Sequence, residues 1–558
     1  MRLVPADRVV LAAAALVLSA GGNARLVAQQ GTWALTNARI QTVTRGVIER
    51  GTIVIRNGLI EAVGPQVTVP RDARVLDLAG RTVSPGLLDL TSTLGLPAPP
   101  AAQPGQGGGG GGGGAGNPPA GPRPGTQPEK SVLADLRIPP AEIRPLRDAG
   151  ITAVLVAPAR GLFRGQSALI PLRDSAGASE VVRAPVAAHI GYQGVQGDYP
   201  GTLLGVIAYQ RQRLYDAQRH AILLDRWKQN PRGMTRPAND PSLEALVPVV
   251  RGQLPAFIEA NNENEIRRAV RLAREFDLKL TVVGATEGFQ AVDALQGATA
   301  VVSTSFPRPT DMTRWSYRIS LRPPAGDSAA WARESERLAQ GNAAALHQAG
   351  VRIALASGGV RPAEFLGNVR KAIAAGLPAD AALQALTIRA AEIAGAGEVL
   401  GSVEPGKIAN LVVSDGDLLA ESARVREVFI DGIRYEAAPP PASGQSAGGA
   451  PGGVGAPAAQ VGGTWAMVLN SPQGPLDITV TLTQSGASFS GTMTSQLGSQ
   501  DVADGQISGR NVSWSTTLTI GGQSVTMSYR GEVDGNRMTG TADLGNFGNA
   551  TFTAERRP

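Results

Sequence analysis

Few side chains in this sequence can move a proton or hold a metal. The histidines number three, His189, His220 and His347, and there is no cysteine. Without cysteine, disulfides, thiolate metal sites, thiol nucleophiles and a lipid-anchored N-terminal cysteine are all excluded. His189 falls at the end of the apolar run APVAAHIGY (184–192), where a strand would deliver it to a site. His220 reads as closing a helix, where a cation near the C-terminus is favourable. His347, in GNAAALHQAG, reads as a surface or satisfied core residue. Three acids sit in comparable places: Asp89 in SPGLLDLTST, Glu259 in FIEANNENE and Glu287 in VVGATEG. If Asp89, Glu259, Glu287 and His189 met, one imidazole among carboxylates could take Mg, Mn or Ca weakly. Paired carboxylates could also do acid–base work. The plainer alternative is that Asp89 ties a strand end, the glutamates are solvated loop acids and His189 is structural. Arg164, in GLFRGQSALI (161–170), is placed in a loop after a strand, either holding a carboxylate or solvated. Gly358-Gly359 could form an anion nest at the following helix or only make a turn.

The elements that must position these residues follow from pattern. A chain of 558 residues exceeds one core, so about two to four domains are expected. Hydrophobic residues at 42% with aromatics at 4% fit an aliphatic globular protein. The net charge of +6 is spread as arginines among acids, with no basic run interleaved with aromatics, so no nucleic-acid partner is expected. Residues 1–28 read as a secretory signal: Arg2 and Arg8 precede VVLAAAALVLSA (9–20), too short to span a bilayer comfortably, with an N-terminal anchor helix as the alternative. No other segment reaches the ~18 apolar residues of a membrane helix. The mature protein is therefore expected to be exported, periplasmic or extracellular, without stable membrane insertion.

Short alternating strands fill 31–80, with a hairpin signal at Asn57-Gly58. Residues 97–130 are rich in Pro and Gly, with eight successive glycines from Gly107, and are expected to be a disordered insertion. From Ser131 to about Ile393 apolar strand-like runs alternate with helical periodicity, as in NEIRRAVRLAREF, where Ile266, Ala269, Val270, Ala273 and Phe276 share a face. That alternation predicts an α/β fold, a (β/α)8 TIM-like barrel. Strands return at 400–436, with Asp431-Gly432 as a second hairpin signal. A linker follows at 438–460. Residues 461–558 are almost wholly β, a small antiparallel barrel or sandwich in which Trp465 and Trp514 are core anchors or ligand platforms. Such a module could hold a ligand, dock a partner or serve as an appended stabilising unit.

Three stretches carry a resemblance to a known family. VSPGLLD resembles a "PG(L/I)ID" strand, GYQGVQGDYPGTLLGVIAYQRQRLYDAQRH (191–220) a loop and helix after Pro-Gly, and LGSVEPGKIANLVVSDGD (400–417) a "G(S/T)(I/L)EPGK(D/L)ADLVV" segment. Over roughly 31–437 the chain resembles the amidohydrolase superfamily, in its exported, imidazolonepropionase-like branch. The resemblance implies that 31–82 and 400–437 pack as one composite β-sandwich beside a barrel of 83–399. It also implies a hydrolase of carbon–nitrogen bonds other than peptide bonds, using one or two divalent ions such as zinc.

The family's metal ligands fall here on Thr91 and Thr93 for a His-x-His, on Glu259 for the strand-five histidine, on Gly284 or Ala285 for the strand-six histidine, and on Gly358 for the closing Asp. Hydroxyls are poor zinc ligands, so the expectation is a degenerate site with no bound metal. Two functions stay open: an altered hydrolase of amide-like or dipeptide-like compounds, and a non-catalytic binding or scaffold protein. The second could act as a homo-oligomer or as the partner subunit of an active relative.

Overall fold

The computed structural model describes residues 31–97, 125–193, 200–306, 328–437, 459–471, 474–486, 488–496, 498–520, 523–543 and 549–557. The expected signal segment, most of the Gly/Pro-rich insertion and most of the linker lie outside the described residues. The chain divides into two compact units, 1–439 and 440–558. Among the described residues no helix is long and apolar enough to cross a membrane.

The first unit opens with β1 (Trp33–Gln41), β2 (Val47–Arg56), β3 (Leu59–Gly64), β4 (Arg74–Asp77) and β5 (Thr82–Pro85). Asn57 and Gly58 turn β2 into β3 at φ 52° and 80°, the left-handed pair that a two-residue hairpin needs. The chain then passes into β6 (Leu87–Ser92), α1 (Pro140–Asp148), β7 (Ile151–Val156), β8 (Phe163–Gln166), β9 (Ala168–Pro171), β10 (Ala188–Ile190), α2 (Leu203–Gln229), α3 (Pro241–Val250), β11 (Ala256–Ala260), α4 (Glu263–Phe276), β12 (Leu280–Gly284), α5 (Val292–Leu295), β13 (Thr299–Ser303), α6 (Ser328–Gln348), β14 (Arg352–Ala356), α7 (Pro362–Ala374), α8 (Ala379–Leu386) and α9 (Ile388–Ile393). It closes with β15 (Leu411–Ser414), β16 (Val425–Ile430) and β17 (Ile433–Glu436).

Helix α4 illustrates the local logic. Asn262 and Glu265 form a capping box at its start, and the five apolar residues read from its period are all buried.

Strands β10 to β14 are mutually parallel, and β6 pairs parallel with β7, as a TIM-like α/β domain requires. The third place departs from the expected (β/α)8 pattern. There β8 and β9, separated only by Ser167, run antiparallel to β10 and β7 respectively. The physical reason is length: Ala157 to Leu162 is far shorter than the dozen or so residues of a parallel crossover. Arg164 therefore lies in a strand, not in a loop. The end of the Gly/Pro-rich segment is also ordered: Gln127 N donates to Phe163 O at 2.8 Å, and Thr126 is buried.

The flanking strands hydrogen-bond into one mixed eight-stranded sheet, β17-β16-β15-β5-β1-β2-β3 with β4 beside β1, and its far ends meet: a Cβ on Gly432, in the β16–β17 turn, would lie 3.0 Å from Gly58 Cα in the β2–β3 turn. β15 adds antiparallel to β5, so the returning chain extends the same sheet. Buried Lys407 ties the return turn, donating from Nζ to Gly397 O at 2.7 Å and Leu400 O at 3.2 Å. His220 lies mid-helix and buried, because α2 continues to Gln229. His347 is exposed in the last turn of α6.

The second unit is a closed antiparallel barrel of β18 (Gly463–Ser471), β19 (Gly474–Ser485), β20 (Ser488–Ser495), β21 (Gly498–Ser508), β22 (Asn511–Ile520), β23 (Gln523–Asp534), β24 (Arg537–Asp543) and β25 (Asn549–Arg556), each pairing with the next and β25 with β18. Closure leaves no free sheet edge. It depends on close backbone approach at glycine. A Cβ on Gly540 would lie 2.1 Å from Arg530 O and 2.7 Å from the Phe552 ring. Gly540→Ala is expected to cost this unit about 1–3 kcal/mol, read as a lower melting temperature for the near-UV dichroism of its stacked aromatics.

Candidate functional site

The C-terminal ends of the parallel strands carry two groups of polar side chains. The first joins β6 to β14, which share no backbone ladder. Asp89, 3% exposed, accepts from Thr91 N at 3.2 Å, Thr91 Oγ1 at 3.1 Å, Ser357 N at 3.0 Å and Ser357 Oγ at 2.6 Å. Gly358 N donates to Thr91 Oγ1 at 2.9 Å, and Gly359 N to Ser357 Oγ at 3.4 Å. The two glycine N–H groups are thus turned to hydroxyls of the chain itself rather than forming an anion nest. Four donors thus converge on one buried carboxylate and fix its position.

The second group is Arg164, Glu259, His189 and Asn261. Arg164 is held by Nε to Gly161 O at 3.1 Å and by Nη1 to Glu259 Oε2 at 2.5 Å. Its guanidinium lies against the Gly191 backbone, where a Cβ would come within 2.1 Å of Nη2. Asn261 Nδ2 reaches Glu259 Oε1 at 3.4 Å, and its Oδ1 lies where a Cβ of Gly284 would be, 2.1 Å away. His189 is buried edge-on to Phe257 with ring centroids 5.4 Å apart, and its Nε2 has no hydrogen-bond partner. Burial first, and the Arg164 charge second, push its pKa down to about 3, so the imidazole is neutral at neutral pH.

Glu287 belongs to neither group. It is buried and accepts the Glu263 N–H at 3.1 Å in the first turn of α4, where a carboxylate satisfies an orphan donor. Of the four residues read as possible partners, only Glu259 and His189 are neighbours, with Arg164 between them. Ser357 was missed. Its signal is the hydroxyl in ALASGG beside the position expected to hold an acid.

The family's divalent ions do not fit this donor set. Thr91 Oγ1 is committed to Asp89 and Gly358 N, Thr93 is exposed, and Glu259 is paired with a guanidinium. A side chain at Gly358 would meet Ser303 Oγ at 1.8 Å, at a backbone φ of 62°. Among the described residues no three His, Cys, Asp or Glu side chains are grouped to hold a metal. Ser357 bonds to Asp89 and not to an imidazole. A groove of about 850 Å³ opens at the opposite end of the strands, by Val186 and Pro255. Its one cation, Arg183, is tied to Gly395 O, and it has no acid–base pair.

Residues 330–434, from within α6 to within β17, match a family model described as the Amidohydrolase family. No curated protein sequence matches the chain. Among solved structures, an amidohydrolase from Thermotoga maritima MSB8 is similar at 22% identity and TM-score 0.58, covering 72% of this chain and 99% of that one. A prolidase complexed with N-methylphosphonate-L-proline aligns at 17% identity and TM-score 0.43, over 73% of this chain and all of its own. A Xaa-Pro dipeptidase with methionine bound in its active site gives 16% identity and TM-score 0.43 at the same coverages.

Asp89→Ala should lower stability by about 2–3 kcal/mol, since it strands the Ser357 donors in a buried seam; chemical denaturation checks this. His189 makes a second expectation. A buried imidazole with a lowered pKa gives stability that is full above the unfolded value near 6.5 and is lost as pH falls toward about 3. Between pH 7 and pH 5 the loss should be about 2 kcal/mol, and His189→Gln should flatten that slope. The Amidohydrolase match at 330–434 thus lies within a fold like that of the T. maritima amidohydrolase.

Proposed function

We propose that this is an exported protein of the amidohydrolase superfamily whose barrel mouth binds a small amide-like or peptide-like ligand without metal-assisted hydrolysis. The observation that carries this reading is the Asp89–Ser357 and Thr91–Gly358 clip, which spends the first- and last-strand positions on closing the barrel. A divalent ion would lower the pKa of a bound water, but the groups at this mouth offer it no ligand set. What they offer instead is polar recognition. The Glu259 carboxylate is 37% exposed and held by Arg164, and Asn261 lies beside it. Such a chain can act as a homo-oligomer, or as the partner subunit of a metal-competent relative.

A second reading is an altered hydrolase of carbon–nitrogen bonds other than peptide bonds. The family match over 330–434 favours it. Both readings are tested by elemental analysis of the mature protein purified without chelator, followed by an amide panel with the purified protein alone. The first expects less than about a tenth of an equivalent of zinc, manganese, iron or nickel per chain and no turnover. A full equivalent that survives dialysis would sink it, and turnover would favour the second.

A further inference from the structure

Helix α2 runs on after its packing ends. It has 27 residues and its last buried one is Ala221. No residue from Ile222 to Ala245 is buried. The last two turns of α2 and the loop before α3 therefore form an exposed tip. Arg251, just ahead of β11, donates from Nη2 to Asp225 at 2.6 Å. That tie puts the tip at the end of the parallel strands away from the mouth.

The tip is more basic than its own fold needs. Residues 219–236 carry Arg219, Arg226, Lys228, Arg232 and Arg236 against one acid, Asp225. All five cations are exposed, and none makes an ion pair among the described residues. The acid is already taken by Arg251. Cations in a last helical turn offset the carbonyl end of the helix, which accounts for Arg226 and Lys228. It does not account for Arg219, more than two turns earlier, or for Arg232 in the loop.

Apolar groups lie among these charges. Spacings of three and four put Arg219, Ile222, Leu223 and Arg226 on one helical face. Ile222 is 53% exposed. Trp227 is partly exposed, and the loop turns back so that the Arg236 guanidinium sits 5.3 Å from its ring. A partner that is only a polyanion, such as a nucleic acid, would use the charges and leave Ile222 in water. A lipid surface uses both. Cations meet the headgroup phosphates, while aliphatic and indole groups enter the headgroup boundary.

We propose that this tip seats the protein on an anionic phospholipid surface, as a peripheral contact rather than an insertion. One cation near such a surface strengthens binding about fivefold. Five of them with Ile222 and Trp227 give a reversible contact that salt weakens. Seated by this end, the strands point their mouth away from the membrane.

The test is sedimentation of the mature protein with vesicles of phosphatidylcholine alone, and of phosphatidylcholine with a third of phosphatidylglycerol. Binding is expected on the second vesicle, with a blue shift of tryptophan emission that Trp227→Phe removes and a loss of binding in high salt. The double variant Arg226→Gln, Lys228→Gln should bind about ten- to thirtyfold more weakly. Ile222→Ser should bind about three- to fivefold more weakly. Both should keep the parent's melting temperature, since all three side chains are exposed. Equal binding to the two vesicles, or none to either, overturns the proposal. So does a double variant that binds as tightly as the parent, because the affinity then belongs to another part of the chain. An Ile222→Ser protein as tight as the parent marks a charge-only site for a polyanion and overturns it too.

Discussion

One buried carboxylate closes the α/β barrel. Strands β6 and β14 are neighbours without a ladder, so the backbone bonds that join the other parallel strands are missing at this seam. Asp89 supplies the join from β6, and Ser357 receives it with a backbone N–H and a hydroxyl. The neighbouring strand end depends on the same place. Thr304, just past β13, donates from N and Oγ1 to Ala356 O, and Asn368 of α7 caps the Thr304 carbonyl at 2.9 Å. A saturated carboxylate in dry surroundings fixes geometry well, because any loosening leaves donors unpaired.

The antiparallel strand at the third place shapes the other half of the mouth. A parallel strand there would begin far from the mouth and end at it. The reversed β8 begins at the mouth instead and brings Arg164 in near its start. From there the guanidinium pairs with Glu259 of β11 and lies over Gly191, while burial, and after it the Arg164 charge, holds the His189 pKa down. A cation thus stands beside Glu259, and it opposes electrostatically any metal ion brought to that carboxylate.

Much of this was legible in the sequence where one local rule governs. Asn57-Gly58 and Asp431-Gly432 turn as written, and the helical face of α4 is buried residue by residue. Thr91 and Thr93 pointed to an unusual first-strand end. What the sequence hid is pairing over long separations. Nothing in GLFRGQSALI says which way its strand runs, since direction is set by the short connection before it and by two neighbours distant in sequence. Glu287 looked like a loop acid, and only the fold puts it against the first turn of α4. A lone serine before two glycines, as Ser357 is, has many uses, and only its 268-residue reach to Asp89 gives it one.

The seam also bears on which substitutions the barrel accepts. A bulkier side chain at 91 or 358 would have to be accommodated inside the clip. A substitution at 91 removes the hydroxyl that Gly358 N relies on, and a side chain at 358 drives into Ser303. Each change alone loosens the barrel. The clip thus couples positions 91, 357 and 358 so that none of them can be exchanged without disturbing the seam.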